Sequence, residues 1–304
     1  MAIDIEEIIS LDYDKIEQIK KDTLKEIYKN DEMIDFIKAN NLSENFVYEN
    51  VSKFNRVMKD SSKCKNCLGL KECSKKGYLL KLYYDDITNK LEQIIDRCSF
   101  KKDIDQIKDK FIICDADEQC FSYPLKELLN YFANDRTKVV TKMAKIAKGI
   151  ETNKGIYIYG EDGIGKSFMM SVFAKSLSLS LNKEYISYIN CIGFFNDLSS
   201  NYRFNQANYE FDYDMLVNVK YLFLDNFMME SVYSNTKQEV ILPIIKKRNE
   251  KGLLTFYISN KSPMEALNAS GVSKSNKDIY NEIVNNNEIF YVKTSPIALA
   301  GMKK

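Results

Sequence analysis

The chain has 304 residues, 44 Lys and Arg against 43 Asp and Glu for a formal net charge of +1, 45% hydrophobic residues, and neither His nor Trp. That is an ordinary globular composition, and its length suits two domains of common size. The absence of His excludes imidazole bases, imidazole metal ligands and His-based pH switches, and no apolar run approaches the roughly 18 residues of a membrane span.

At the N-terminus, Asp4, Glu6 and Glu7 stand where an export signal would carry a basic region and an apolar stretch, so a cytoplasmic protein with no membrane contact is expected. From Ile3 to about Lys59 apolar residues recur at helical spacing, as in Ile16, Ile19, Leu24 and Ile27, then Met33, Ile34 and Ile37. Ser43 behind Asn40-Asn41 reads as an N-cap opening the next helix. Charge is segregated: residues 1–50 sum to −7 and residues 51–110 to +6, which suggests two different partner faces.

Residues 63–78 break the helical pattern. Cys64-Lys65-Asn66-Cys67 is a C-x-x-C pair, with Cys73 and Cys98 following, and four thiolates suit tetrahedral Zn²⁺. Seven Cys is an odd number, and with no export signal a disulfide framework is the wrong reading. Tyr83–Asp86 reads as a short strand, and residues 87–97 return to helical spacing through Ile87, Leu91, Ile94 and Ile95. Residues 1–105 are expected to form one domain, 106–135 a linker, and 136–304 a second domain. A helix pair is expected from Pro124 to Gly149. Strand and helix then alternate: Ile156–Tyr159, Phe168–Leu181, Tyr185–Ile189, Tyr221–Asp225, Thr236–Glu250 and Leu253–Ser259. The strands are continuous apolar runs, as in a parallel sheet covered on both faces. Residues 266–288, rich in Asn, Ser and Lys, read as loops around at most one helix.

Gly160-Glu161-Asp162-Gly163-Ile164-Gly165-Lys166-Ser167 satisfies G-x-x-x-x-G-K-[ST] between a strand and a helix that begins near Phe168. Glycines let backbone N–H groups converge on phosphates, and the helix N-terminus adds partial positive charge. Lys166 is expected to bridge the β and γ phosphates of ATP, and Ser167 to ligate Mg²⁺. Asp225 ends an apolar strand, the arrangement that holds Mg²⁺ opposite a phosphate loop. Asn226 follows it and can orient water but cannot take its proton. Asn260, at the end of another strand, is a candidate sensor of the γ phosphate.

Taken together, Gly155–Gly160 leading into the phosphate loop, the block Leu224-Asp225-Asn226-Phe227, Glu230, and Thr255–Asn260 resemble the DnaI/DnaC family of replicative helicase loaders. The resemblance implies an AAA+ P-loop ATPase domain with a parallel sheet, its sensor strand between the phosphate-loop and Asp225 strands, preceded by a small, mainly helical, zinc-binding domain. It further implies ATP and ADP as ligands, the hexameric replicative helicase as partner of the N-terminal domain at residues 1–105, single-stranded DNA as partner of the ATPase domain, other primosome or initiator proteins beside them, and ATP-dependent helicase loading at replication initiation.

The family's zinc module uses three Cys and one His. This chain has no His, so Cys73 or Cys114 must complete the site, or zinc is lost. The family also has an acid where Asn226 stands and an Arg-rich C-terminal helix, whereas no Arg follows Arg248 here. Weak or partner-stimulated hydrolysis is therefore expected. Tyr202, Phe204 and Tyr209 beside Arg203 are candidates for base stacking. The alternatives are a transposition-helper ATPase of the same fold and a nucleotide-switched adaptor with little hydrolysis.

Overall fold

The structure, a computed structural model, describes residues 5–67, 69–70, 73–131, 134–269 and 271–293. The chain divides into two compact units, Met1–Asp103 and Ile104–Lys304.

Unit 1 opens with four helices, α1 (Ile5–Ile27), α2 (Asp31–Ala39), α3 (Glu44–Glu49) and α4 (Val51–Ser62). Local chemistry sets their starts. Asn30 and Ser43 take extended backbone and accept from Met33 N and Phe46 N respectively, each satisfying a first-turn donor that the helix leaves unpaired. Ile27, Met33, Ile37, Val47, Val51, Phe54 and Val57 meet in one buried cluster, which Leu91 completes.

Leu91 belongs to an antiparallel hairpin, β1 (Tyr78–Asp85) with β2 (Lys90–Arg97). The helical reading of residues 87–97 is thus corrected. The apolar spacing fitted a helix, yet Ile87 is 91% and Ile95 73% exposed, and only Leu91 reaches the core. The turn is made by Asp85, whose carboxylate accepts from Ile87 N, Thr88 N and Thr88 Oγ1, and by Asn89 at φ 52°.

The boundary between units falls within α5 (Ser99–Lys108). The stretch expected as a linker holds β3 (Phe111–Cys114), two short 3₁₀ turns and α6 (Leu128–Tyr131). Phe111 stacks on Phe121 at 5.8 Å, so this segment is packed despite its charged composition.

Unit 2 continues with α7 (Asn134–Ala147), β4 (Gly155–Tyr159), α8 (Lys166–Ser178), β5 (Ile186–Asn190), α9 (Phe194–Phe204), α10 (Gln206–Asn218) and β6 (Tyr221–Asp225). After α11 (Ser234–Thr236), a π turn at Lys237–Ile241 leads into α12 (Leu242–Glu250), and then come β7 (Leu254–Ser259), α13 (Pro263–Asn268), α14 (Lys274–Asn286) and β8 (Asn287–Tyr291). Residues 266–288, expected as loops around at most one helix, therefore hold two helices and the start of a strand. Ile279 and Ile283 are fully buried, and that packing overrides the weak helix propensity of the Asn-rich sequence.

Six strands form one parallel sheet in the order β3-β5-β6-β7-β4-β8. Alternate residues point to opposite faces. Phe223 and Phe256 meet Phe173 of α8, while Tyr157, Leu222, Leu224 and Tyr257 join a cluster with residues of α10, α12 and α14. Ligands of such sheets bind beyond the carboxyl ends of the strands, where β4, β6 and β7 deliver Gly160, Asn226 and Asn260. Among the described residues no helix is long and apolar enough to cross a membrane.

Candidate nucleotide site

Gly160 leaves β4 at φ 151°, and a Cβ there would lie 2.1 Å from Val292 O and 2.8 Å from Ile164 Cδ1, so only glycine fits. Ile164 is buried, with its Cδ1 against Gly160. Gly165 caps α8 in the left-handed conformation at φ 86°, and no side chain closes that helix N-terminus. Its first N–H groups are therefore available to an anion.

Asp162, Gly163, Gly165 and Lys166 line a cavity of about 290 Å³ together with Ser167, Phe168, Asp225, Asn226 and Asn260. Of the candidate site residues in the ATPase region, Gly160 and Ile164 alone support this cavity from outside its lining. Lys166, at the base of the cavity, donates from Nζ to Gly160 O at 2.9 Å and Glu161 O at 2.7 Å. Burial lowers its pKa, opposed by the charges of Asp162 and Asp225.

Ser167 Oγ donates to Asp225 Oδ1 at 3.0 Å, as does Asn226 N at 2.9 Å. A hydroxyl and a carboxylate this close, one from the phosphate loop and one from a strand end, are a hard-oxygen pair suited to Mg²⁺. Tyr188 OH donates to Asp225 Oδ2 at 2.8 Å. Burial, and then the Asp225 charge, push the Tyr188 phenol well above its usual pKa, so it stays a donor. Sequence reasoning missed Tyr188. It lies in mid-strand with no local motif, and only the β5–β6 pairing, Tyr188 opposite Phe223, brings it to Asp225.

Asn226, at φ 54°, donates from Nδ2 to Asn190 Oδ1 at 3.0 Å, and Asn260 Nδ2 donates to Asp162 Oδ1. Glu230 accepts from Gly193 N at 2.7 Å and so ties down the start of α9. Phe168 sets its ring edge against Tyr123 at 5.2 Å. Arg248 is fully buried, bonded to Leu216 O, Val219 O, Leu254 O and Thr255 Oγ1, and is a brace of the fold. Of the candidate stacking residues, Tyr209 packs against Tyr202 and Tyr213, while Arg203 and Phe204 are exposed.

The structure brings the expected zinc ligands together in part. Cys64, Cys67 and Cys73 line one pocket of about 160 Å³, whose lining does not include Cys98. Among the described residues no three Cys, Asp or Glu are spaced to hold an ion. Cys114, the other candidate fourth ligand, is part of β3. Asp60 ties this segment to β1, pairing with Lys75 Nζ at 2.5 Å and accepting from Leu80 N at 3.0 Å. Cys67 and Cys73 accept backbone N–H bonds from Gly69 and Gly77, each at 3.4 Å.

The chain resembles helicase loaders in sequence and in fold. The replicative helicase loader DnaI of Bacillus subtilis (strain 168) is 26% identical over 261 residues, covering 83% of this chain and 80% of that protein. A crystal structure of DnaI matches with a TM-score of 0.51 at 20% identity, over 64% of this chain and 99% of the other. That of a candidate primosome component from Streptococcus pyogenes serotype M3 matches at 0.50 and 20%, over 62% and 96%. No protein-family model matches the chain.

Proposed function

We propose that the chain is an ATP-dependent loader of the hexameric replicative helicase, acting on single-stranded DNA at the initiation of replication. The reading is carried by the Ser167–Asp225 pair, 3.0 Å apart across the phosphate loop, in a chain similar over most of its length to a helicase loader. Ser167 and Asp225 would hold Mg²⁺, which when bound neutralises phosphate charge. Lys166 and the open N-terminus of α8 bind the phosphates, and Asn260 reads the terminal one. Asn226 orients water but takes no proton, and hydrolysis is slow because Arg248 is committed to the fold and supplies no finger.

The test is recovery of the helicase on single-stranded DNA with and without Mg-ATP, beside phosphate release. Loading that rises with Mg-ATP and is lost in Lys166→Ala supports the proposal, and a protein that does not bind the helicase overturns it. Asn226 and the buried Arg248 favour one second reading, a nucleotide-switched adaptor. That reading is adopted if wild-type phosphate release does not exceed the Lys166→Ala level with helicase and DNA present.

A further inference from the structure

The proposed ATP site needs an acceptor for the proton of the attacking water. Asn226 cannot serve, because an amide has no basic atom and its NH₂ group is turned to Asn190 Oδ1. Among the described residues lining the cavity, the carboxylates are Asp162 and Asp225. Both oxygens of Asp225 are taken, Oδ1 by Ser167 and Asn226 N and Oδ2 by Tyr188. Glu230 and Asp115 lie on neighbouring segments but outside the cavity lining, the first bonded to Gly193 N and the second to Asn190 N at 2.8 Å.

Asp162 remains. It sits in the phosphate loop, exposed, while the Lys166 ammonium donates to loop carbonyls. Its Oδ1 accepts from the amide of Asn260, the residue that follows β7, the strand beside the loop's own strand β4. A carboxylate only accepts, so this bond fixes the Asn260 amide with its NH₂ group toward the loop and brings a proton acceptor to the proposed γ-phosphate sensor.

We propose that Asp162 is the general base for ATP hydrolysis in this chain, an inference that rests on the ATP-site reading above. The water oxygen bonds to the γ phosphorus while its proton passes to the Asp162 carboxylate. The bond from that phosphorus to the β–γ bridging oxygen breaks, and its electron pair leaves on ADP. Asp162 then returns the proton to solvent, so ATP and water give ADP, phosphate and one proton. A positioned base is worth about 10² to 10⁴ in rate, which sets the size of the effect to look for.

The experiment compares wild type, Asp162→Asn and Asp162→Glu in the full chain. Binding is measured by titration with fluorescent ATP and ADP analogues in Mg²⁺, and hydrolysis by phosphate release with helicase and single-stranded DNA present. Asp162→Asn should bind ATP within about threefold of wild type and lose at least about tenfold in phosphate release, with Asp162→Glu recovering part of it. Unchanged release in Asp162→Asn overturns the proposal. So does tighter ATP binding with faster release, which would make the carboxylate a repeller of the terminal phosphate. Wild type that binds nucleotide but releases no phosphate overturns the base and leaves the site reading intact. Wild type that binds no nucleotide overturns both.

Discussion

Asp225 is buried, and in the proposed site it faces Mg²⁺. Three donors hold its carboxylate, Ser167 Oγ, Asn226 N and Tyr188 OH, and Tyr188 is the one that sequence motifs do not name. Tyr188→Phe keeps the ring stacked 5.5 Å from Phe223 and removes the hydroxyl that bonds Asp225 Oδ2 at 2.8 Å and approaches Ser167 O at 3.4 Å. Mg-nucleotide affinity should fall about 10- to 100-fold, the equivalent of one hydrogen bond to a charged group. Titration with a fluorescent nucleotide analogue at fixed Mg²⁺ reads this, and unchanged affinity would mean that Ser167 and Asn226 N hold Asp225 on their own. In unit 1, Asp60 has the corresponding structural role. Burial raises its carboxyl pKa, but the bonds from Lys75 and Leu80 N outweigh that and leave it below the ordinary value. A carboxyl whose pKa is lower folded than unfolded stabilises the fold above the unfolded value, and that stabilisation is lost as pH falls through the folded one. Asp60→Asn should therefore destabilise unit 1 by about 1–2 kcal/mol at neutral pH, with the difference from wild type shrinking in acid. Denaturation followed at neutral and acid pH checks both the size and the sign.

Strand β4 sits between β7 and β8, and its first residue leaves no room for a side chain. A Cβ on Gly155 would lie 2.2 Å from Thr255 O and 2.3 Å from Asn287 Oδ1. Neither neighbour can retreat easily, because one is backbone and the other belongs to a buried side chain bonded to Ile283 O. Gly155→Ala should thus cost more than about 2 kcal/mol and displace the phosphate loop that β4 delivers, seen as a lower melting temperature and weaker nucleotide binding. Elements of this kind were legible in advance where one strong pattern acted alone. Apolar runs located β4, β5, β6 and β7, and the phosphate-loop motif located the start of α8. The rest depended on partners distant in sequence. Ile87, Leu91, Ile94 and Ile95 fit helical spacing, yet Leu91 is buried because a hairpin packs on α4, and the turn signal lay in Asp85 and Asn89. β3 and β8 are the two edges of the sheet, one within a charged stretch and one behind an Asn-rich helix, and pairing with β5 and β4 decides them. At the site, Gly160 through Ser167, Asp225 and Asn260 were legible from motif and strand ends. Tyr188 and the Asp162–Asn260 bond were not, because each joins two elements whose adjacency only the strand order supplies.

At the scale of the molecule, each unit has a hydrophobic core of its own, one built on Ile27, Val47 and Phe54 and the other on the parallel sheet. The phosphate loop and Asp225 both belong to the second unit. In the proposed reading helicase contact falls to the N-terminal region, whose charge runs from −7 over residues 1–50 to +6 over residues 51–110, and DNA binding to the second unit. If the proposed division of labour holds, loss of the nucleotide leaves helicase binding in place and removes DNA binding. Lys166→Ala is the variant that separates them. It removes the ammonium expected to bridge the phosphates, and with it the bonds to Gly160 O and Glu161 O, while no residue of unit 1 changes. Nucleotide affinity should fall by at least about 100-fold, as for loss of a charge-assisted contact in a site built around it. The variant should still be retained by immobilised helicase, but its capture of single-stranded DNA should no longer rise with Mg-ATP. DNA capture by wild type should also weaken steeply with added salt, because Lys contacts to phosphates release counterions. Loss of helicase binding in Lys166→Ala would show that nucleotide occupancy controls both partners, and the two-face assignment of the charge pattern would have to be abandoned.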